Sequence, residues 1–259
     1  MTTSDIFTHF FRELERREIP YVVLHSYQDY PDKFRSDVDY AVADNRRHEI
    51  PEAERAVAQK CGWLIVQRME HETCAFSSVF VNPQSPGETL MLDVTSHYIR
   101  NRCFFLHDED LLAGRQRFKD FFIPCTSSEF IYTWVKVFAK FKEHAPYVER
   151  LRKLFEQEPE RSQELFTRVF GPEAGRATDW WNKSAEEWKE LGRTMHARNR
   201  YTAAQRWQEF RRIVHRVCNP TGLTVAFLGP DGAGKSTVIA STTNVLRQCF
   251  RRTMTVHFV

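Results

Sequence analysis

Strand periodicity stops near residue 125. Before it, β-rich runs alternate with turns: YVVLH (21–25), DVDYAVA (37–43), WLIVQRM (63–69), CAFSSVFVN (74–82) and TLMLDVTSHYI (89–99). From 127 to about 218 such runs are nearly gone, and apolar residues recur at helical spacing instead. The first half therefore carries the sheet and the middle carries helices. SDIFTHFFRELERRE (4–18) reads as a capped helix with Ile6, Phe10 and Leu14 on one face, and residues 52–62 read as a second helix. Helix, strand, strand, helix and then further strands predict a mixed sheet with helices laid against it, an α+β arrangement.

In the middle region SSEFIYTWVKVFAKFK (127–142) is helical, Ser184 and Glu187 form a candidate capping box, and Gly171–Pro172 breaks the run. Tyr201, Ala204, Trp207, Phe210, Val214 and Val217 recur on one helical face, and NPTG (219–222) ends this region. A strand, LTVAFLG (223–229), is expected next.

The 259 residues could form one large domain or two ordinary ones, and at 42% hydrophobic and 27% charged the composition is that of a soluble globular protein. The longest apolar run, around 223–228, is too short to span a membrane. MTTSDIFTHF lacks a basic stretch followed by an apolar one, so no secretory signal is expected. The six cysteines are scattered without a C-x-x-C pair, which argues against zinc and fits buried thiols in a reducing cytoplasm, the expected location. Charge is divided unevenly. Residues 1–125 hold 15 Lys/Arg against 20 Asp/Glu, and residues 126–259 hold 22 against 14, so the two halves are expected to differ in origin and to attract one another.

Gly229-Pro230-Asp231-Gly232-Ala233-Gly234-Lys235-Ser236 satisfies G-x-x-x-x-G-K-[ST], the Walker A phosphate loop. Glycines let backbone N–H groups turn inward around phosphate oxygens, and a following helix points its positive end at them. Lys235 would reach the outer phosphates and the Ser236 hydroxyl would bind Mg²⁺. A helix is expected after the loop, with Val238, Thr242, Val245, Leu246 and Cys249 on one face. GPDGAGKST is similar to the loop of thymidylate kinases and their relatives, over residues 221–259. The resemblance implies ATP binding by Gly229, Asp231, Gly232, Gly234, Lys235, Ser236 and Thr237, with Asp231 reaching a sugar hydroxyl of the acceptor nucleotide. TMTVHFV (253–259) looks like the next strand of such a kinase. The carboxylate that orients Mg²⁺, the arginine-bearing lid and the acceptor pocket would all lie beyond Val259. This part is thus expected to be a truncated P-loop fragment of a longer kinase-containing protein, without phosphoryl transfer of its own.

A second constellation lies in the first half. SDVDY places Asp37 and Asp39 two apart on an expected strand, so both point to one face, and Asp93 sits in a later strand between apolar neighbours. Three converging carboxylates can hold divalent cations that activate a hydroxyl and neutralise a triphosphate. VLHSYQDYPDKFRSDVDYAV resembles the signature of polymerase-β-like nucleotidyltransferases, with Ser26 at the second small position, a ten-residue spacer (27–36), then Asp37-Val38-Asp39-Tyr40. His25 stands where that family has glycine. The resemblance covers residues 1–125. It implies Asp37, Asp39 and Asp93 as catalytic metal ligands, Mg²⁺ with ATP or another NTP as cofactors, and a small-molecule acceptor.

Other signals read as ordinary. His97, His107 and Asp108 are expected as surface polarity, and Trp180 and Trp181 as helix packing. Lys136, Lys140 and Lys142 are expected as a solvated helix face. The arginine-rich segment 193–216 has its aromatics on an apolar stripe, so nucleic acid is not expected as a partner. The expected organisation is a nucleotidyltransferase-like domain at 1–125, a helical domain at 126–218 and the P-loop fragment at 219–259. Three functions remain open: nucleotidyl transfer through the three aspartates, a nucleoside-monophosphate kinase completed by further sequence, or a non-catalytic nucleotide-binding or scaffold module.

Overall fold

The first helix sets the first layer. α1 (Thr3–Arg16) starts from a capping box in which the Asp5 N–H donates to Thr2 Oγ1 at 3.3 Å and the Thr2 N–H donates to Asp5 Oδ2 at 2.7 Å. Its inner face, Ile6, Phe7, Phe10, Phe11 and Leu14, is fully buried. Burial at this level contributes roughly 1.5–3 kcal/mol per large apolar side chain. A computed structural model describes residues 1–25, 27, 29–31, 37–140, 145–230, 232–247, 249–250 and 253–256.

The chain continues through β1 (Tyr21–Val23), β2 (Val38–Val42), a 3₁₀ turn (Asp44–Glu49), α2 (Ile50–Cys61), β3 (Leu64–Glu72), β4 (Ala75–Asn82) and β5 (Ser85–Thr95). Gly62 ends α2 in the left-handed region at φ 69°, where glycine carries no Cβ penalty. Next come a hairpin, β6 (Tyr98–Arg100) and β7 (Cys103–Leu106), a short α3 (Asp108–Leu112), and a second hairpin, β8 (Gln116–Phe118) and β9 (Phe121–Ile123). Among the described residues the main sheet has five strands in the order β1-β2-β5-β4-β3, with β2 and β5 parallel and the other neighbours antiparallel. The protein is thus an α+β chain built on a mixed sheet, and the five strand signals in the sequence fall on its five strands.

Alternation gives each strand two addresses. Val23, Val38, Tyr40, Val42, Leu90, Leu92 and Val94 pack with α1 and α2 in one core. Val22, Leu24 and Ala41 point the other way into a second core, built on α4 (Thr126–Ala139). Around α4 lie α5 (Ala145–Gln157), α6 (Pro159–Phe170) and α7 (Ala185–Arg198). Trp134 of α4 is fully buried and stacks on Trp188 at 4.5 Å and Phe138 at 5.1 Å. Trp181 meets Trp134 at 5.7 Å, and the Trp180 indole N–H donates to the Ala174 carbonyl, so both serve helix packing. The helical middle and the sheet therefore share one apolar core. Ser184 and Glu187 make their capping box at the head of α7.

The last part departs from expectation. α8 (Ala203–Cys218) forms, but it buries no residue: Trp207 is 62% exposed and Val217 75%. The strand expected at 223–229 does not form, and Leu228 is 93% exposed. A lone strand needs a neighbour for its N–H and C=O groups and apolar cover for its faces, and none of the described residues supplies either. Residues 253–256 form no strand, and 257–259 lie outside the described residues. α9 (Lys235–Leu246) does form after the loop, with no buried residue.

Candidate metal centre

The acidic cluster is a product of sheet register. Asp39 lies directly opposite Asp93 in the parallel β2–β5 pair, flanked by the Val38↔Leu92 and Tyr40↔Val94 pairs. Because Val38, Tyr40, Leu92 and Val94 are committed to the α1–α2 core, alternation sends both carboxylates to the α4 side. Asp37 precedes β2 by one residue and shares the face of Asp39. Ligand atoms of Asp37, Asp39 and Asp93 all lie within 4.8 Å of one another, and all three residues are half-buried. Among the described residues they are the one group of His, Cys, Asp or Glu so arranged.

Lys136 and His71 steady the cluster. Lys136 of α4 places Nζ 3.2 Å from Asp39 Oδ2, and also donates to the Tyr132 hydroxyl at 3.3 Å. At 15% side-chain exposure it is not the solvated lysine that the sequence suggested. The helix carries it under the sheet because the rest of α4 is buried. His71 on β3 holds Nε2 2.9 Å from Asp93 Oδ1. These residues line a cavity of about 450 Å³, together with His25, Glu72, Arg100 and Lys140. Burial, then the charge of Lys136, holds the His25 imidazole below its usual range. Burial also lifts the Glu72 carboxyl to about 7, opposed by Arg100 and reinforced by Glu209.

Carboxylate oxygens are hard donors that suit Mg²⁺ or Mn²⁺. Three of them gathered at one spot fit a divalent cation. Asp37, Asp39 and Asp93 would hold it.

Of the remaining sequence candidates, His97 also lines this cavity and the others fall elsewhere. His97 and Asp108 form a structural knot: the Asp108 N–H donates to His97 Nδ1 at 3.2 Å, the Asp44 N–H donates to Asp108 Oδ2 at 2.8 Å, and His107 packs its ring on Phe104. They tie the end of β5 to the turn after β2. Ser26, Lys142 and Asp231 lie outside the described residues. In the Walker A segment Gly232 (φ 82°) and Gly234 (φ 77°) adopt left-handed backbone just before α9, as the motif requires. Yet Lys235 Nζ donates to the loop's own Gly229 and Pro230 carbonyls, at 2.6 and 2.7 Å, and Ser236 and Thr237 are exposed. No described residue of this loop lines the acidic cavity. His71, Glu72 and Arg100 were not signalled by sequence. Their only mark is position at strand ends, which acquires meaning once the pairing is known.

No family model matches the chain, and no curated protein matches it. A solved structure from H. pylori, provisionally assigned as a nucleotidyltransferase, aligns over 75% of this chain and 93% of its own at 10% identity, with a TM-score of 0.36. A likeness of that size carries no argument about the function of this chain.

Proposed function

We propose that this chain is a divalent-cation-dependent nucleotidyltransferase that uses ATP or another nucleoside triphosphate and a small hydroxylated acceptor. The observation that carries the reading is the direct register of Asp39 against Asp93, with Asp37 completing a three-carboxylate cluster at the wall of a 450 Å³ cavity. In the reaction an acceptor hydroxyl oxygen bonds to the α-phosphorus. The bond from that phosphorus to the bridging oxygen of the β-phosphate breaks, pyrophosphate departs and the hydroxyl proton is released. A divalent cation held by Asp37, Asp39 and Asp93 would supply neutralisation of the triphosphate and a lowered pKa for the attacking hydroxyl.

The chain's own groups do the rest. Asp37, Asp39 and Asp93 supply the oxygen donors. His71 orients Asp93, as outer partners of metal ligands commonly do. Lys136 balances the carboxylate charge from α4 and stands where it could meet a phosphate oxygen. The proposed organisation places this chemistry in residues 1–125, buttressed by the helices of 126–218.

A second reading rests on Gly232 and Gly234, whose left-handed backbone at the head of α9 is the conformation a phosphate grip uses. In it, residues 219–259 belong to a kinase-type P-loop unit that binds ATP through Lys235, Ser236 and Thr237. Calorimetric titration of Mg-ATP into the parent, Asp39→Asn and Lys235→Ala separates the two. Loss of binding in Asp39→Asn alone is the expected result. Loss in Lys235→Ala alone would transfer the nucleotide to the loop and overturn the first reading. A flat titration of the parent with all four common nucleoside triphosphates would leave a non-catalytic module.

A further inference from the structure

The tip of the β6–β7 hairpin carries two residues in left-handed backbone, Asn101 at φ 51° and Arg102 at φ 61°. A two-residue hairpin loop of this kind wants Asn, Asp or Gly at both places. Asn101 obeys the preference; Arg102 does not. An arginine held at a strained position by its surroundings marks a site where the side chain is wanted for something other than the turn.

Its surroundings support that. The hairpin is locked to the segment between α7 and α8 by the Cys103↔Arg200 bridge, by the Tyr201 N–H donating to the Arg102 carbonyl at 2.9 Å, and by the Phe104 N–H donating to the Asn199 carbonyl at 2.8 Å. Behind this lock lies a cavity of about 410 Å³. Three arginines reach it from two stretches of chain, Arg102 on one side and Arg200 and Arg206 on the other, beside Asn101, His196 and the buried Tyr201. None of its described lining residues is a carboxylate. Some arginines elsewhere settle on acids, among them Arg12 on Asp120, Arg117 on Glu15, Arg168 on Asp110 and Arg212 on Glu209. The three in this cavity make no ion pair with any described residue.

The cavity also adjoins the acidic one. Arg100 and Ile99 line the metal centre's cavity and Asn101 and Arg102 line this one, so the hairpin tip is their common rim. Tyr201 packs with Ala75, Ile99 and Cys74 in one small core, which makes the wall between them.

We propose that this arginine cavity is an anion site that takes the phosphate group of a small acceptor. Planar guanidinium groups recognise phosphate oxygens in pairs, and a set of them lacking carboxylates leaves that capacity for a ligand. The volume suits a phosphate monoester of a sugar or similar small molecule. That the anion belongs to the acceptor rests on the nucleotidyl-transfer reading; the anion site itself does not.

The test is calorimetric titration of inorganic phosphate, in EDTA, into the parent, Arg102→Asn/Arg206→Gln, Arg102→Lys/Arg206→Lys and Lys235→Ala. Asn suits the left-handed turn and Gln suits the exposed helical position, and a circular-dichroism melt confirms that each variant folds. The expected result is saturable phosphate binding in the parent and in Lys235→Ala, weakened about tenfold or more in the Asn/Gln variant and partly restored by the lysines. Unchanged binding in the Asn/Gln variant, or none in the parent, overturns the proposal. Mg-ATP and the other common Mg-nucleoside triphosphates titrated into the same proteins keep the two readings apart. Phosphate bound at the arginines with no binding of any of the four common Mg-nucleoside triphosphates would sink the nucleotidyl-transfer reading and leave the anion site. Mg-ATP bound through Asp39 with no arginine-dependent phosphate binding would do the opposite.

Discussion

Trp134 and Trp207 stand at the two ends of a comparison. Trp134 is fully buried between Trp188 and Phe138, in a core that also reaches the sheet through Leu24 and Ala41. Trp207 is 62% exposed, stacked on Phe210, itself 55% exposed. The two regions carry the two sharpest motifs of the sequence. In the first, Asp37, Asp39 and Asp93 are aimed by the strand register, and the apolar residues on either side hold that register. In the second, the glycines adopt the expected backbone, but the loop has no strand before it, and no residue of the helix after it is buried. A constellation is positioned by the burial around it, and motif strength does not replace that burial.

The largest expected effect breaks the first region. Trp134→Ala should cost about 3–5 kcal/mol in denaturant melts, whereas Phe210→Ala should stay within about 0.5 kcal/mol. Equal losses would mean the exposed stripe of α8 is covered in solution. Next comes a buried charge. Glu54 is fully buried and is held by Arg68 and by the Ser78 hydroxyl at 2.8 Å. Arg68→Met should destabilise by about 3 kcal/mol because it strands that carboxylate, and Arg68→Met/Glu54→Leu should recover most of the loss.

Glu72 gives a smaller, pH-dependent effect. Burial lifts its carboxyl from 4.5 to about 7. Between those values the folded protein keeps a proton that the unfolded chain has released, so stability falls as pH rises through that window. Glu72→Gln removes this slope. Relative to the parent, the variant should gain on the order of 2 kcal/mol between pH 5 and pH 8. A constant difference across that range would place Glu72 in water. The smallest effect is that of Lys235→Ala, within about 0.5 kcal/mol, since it donates to carbonyls of an exposed loop.

Much of the fold was legible because its signals are local. Capping residues, alternation and helical spacing marked α1, α2, the five strands and α7. The acidic cluster was legible for the same reason: D-x-D fixes two side chains to one face, and Asp93 sits between apolar neighbours. What stayed hidden depends on pairing between distant residues. Nothing in the spacing of His71 tells that β3 brings it to Asp93, and Lys136 read as solvated until α4 proved buried on nearly all sides. Arg102 and Arg206 are more than a hundred residues apart and meet through a hairpin and a helix start with no shared motif. The strand expected at 223–229 failed in the opposite sense. Its local pattern is strong, but a strand is stable only with partners, and the described residues provide none.

The proposed divalent-cation site depends on the sheet register that brings Asp37, Asp39 and Asp93 together. Electron paramagnetic titration of Mn²⁺ into the parent, Asp93→Asn and Ser236→Ala tests it directly. Saturable Mn²⁺ binding in the parent and in Ser236→Ala, lost in Asp93→Asn, is the predicted result. Mn²⁺ binding that survives Asp93→Asn undiminished, or that disappears in Ser236→Ala, would contradict it.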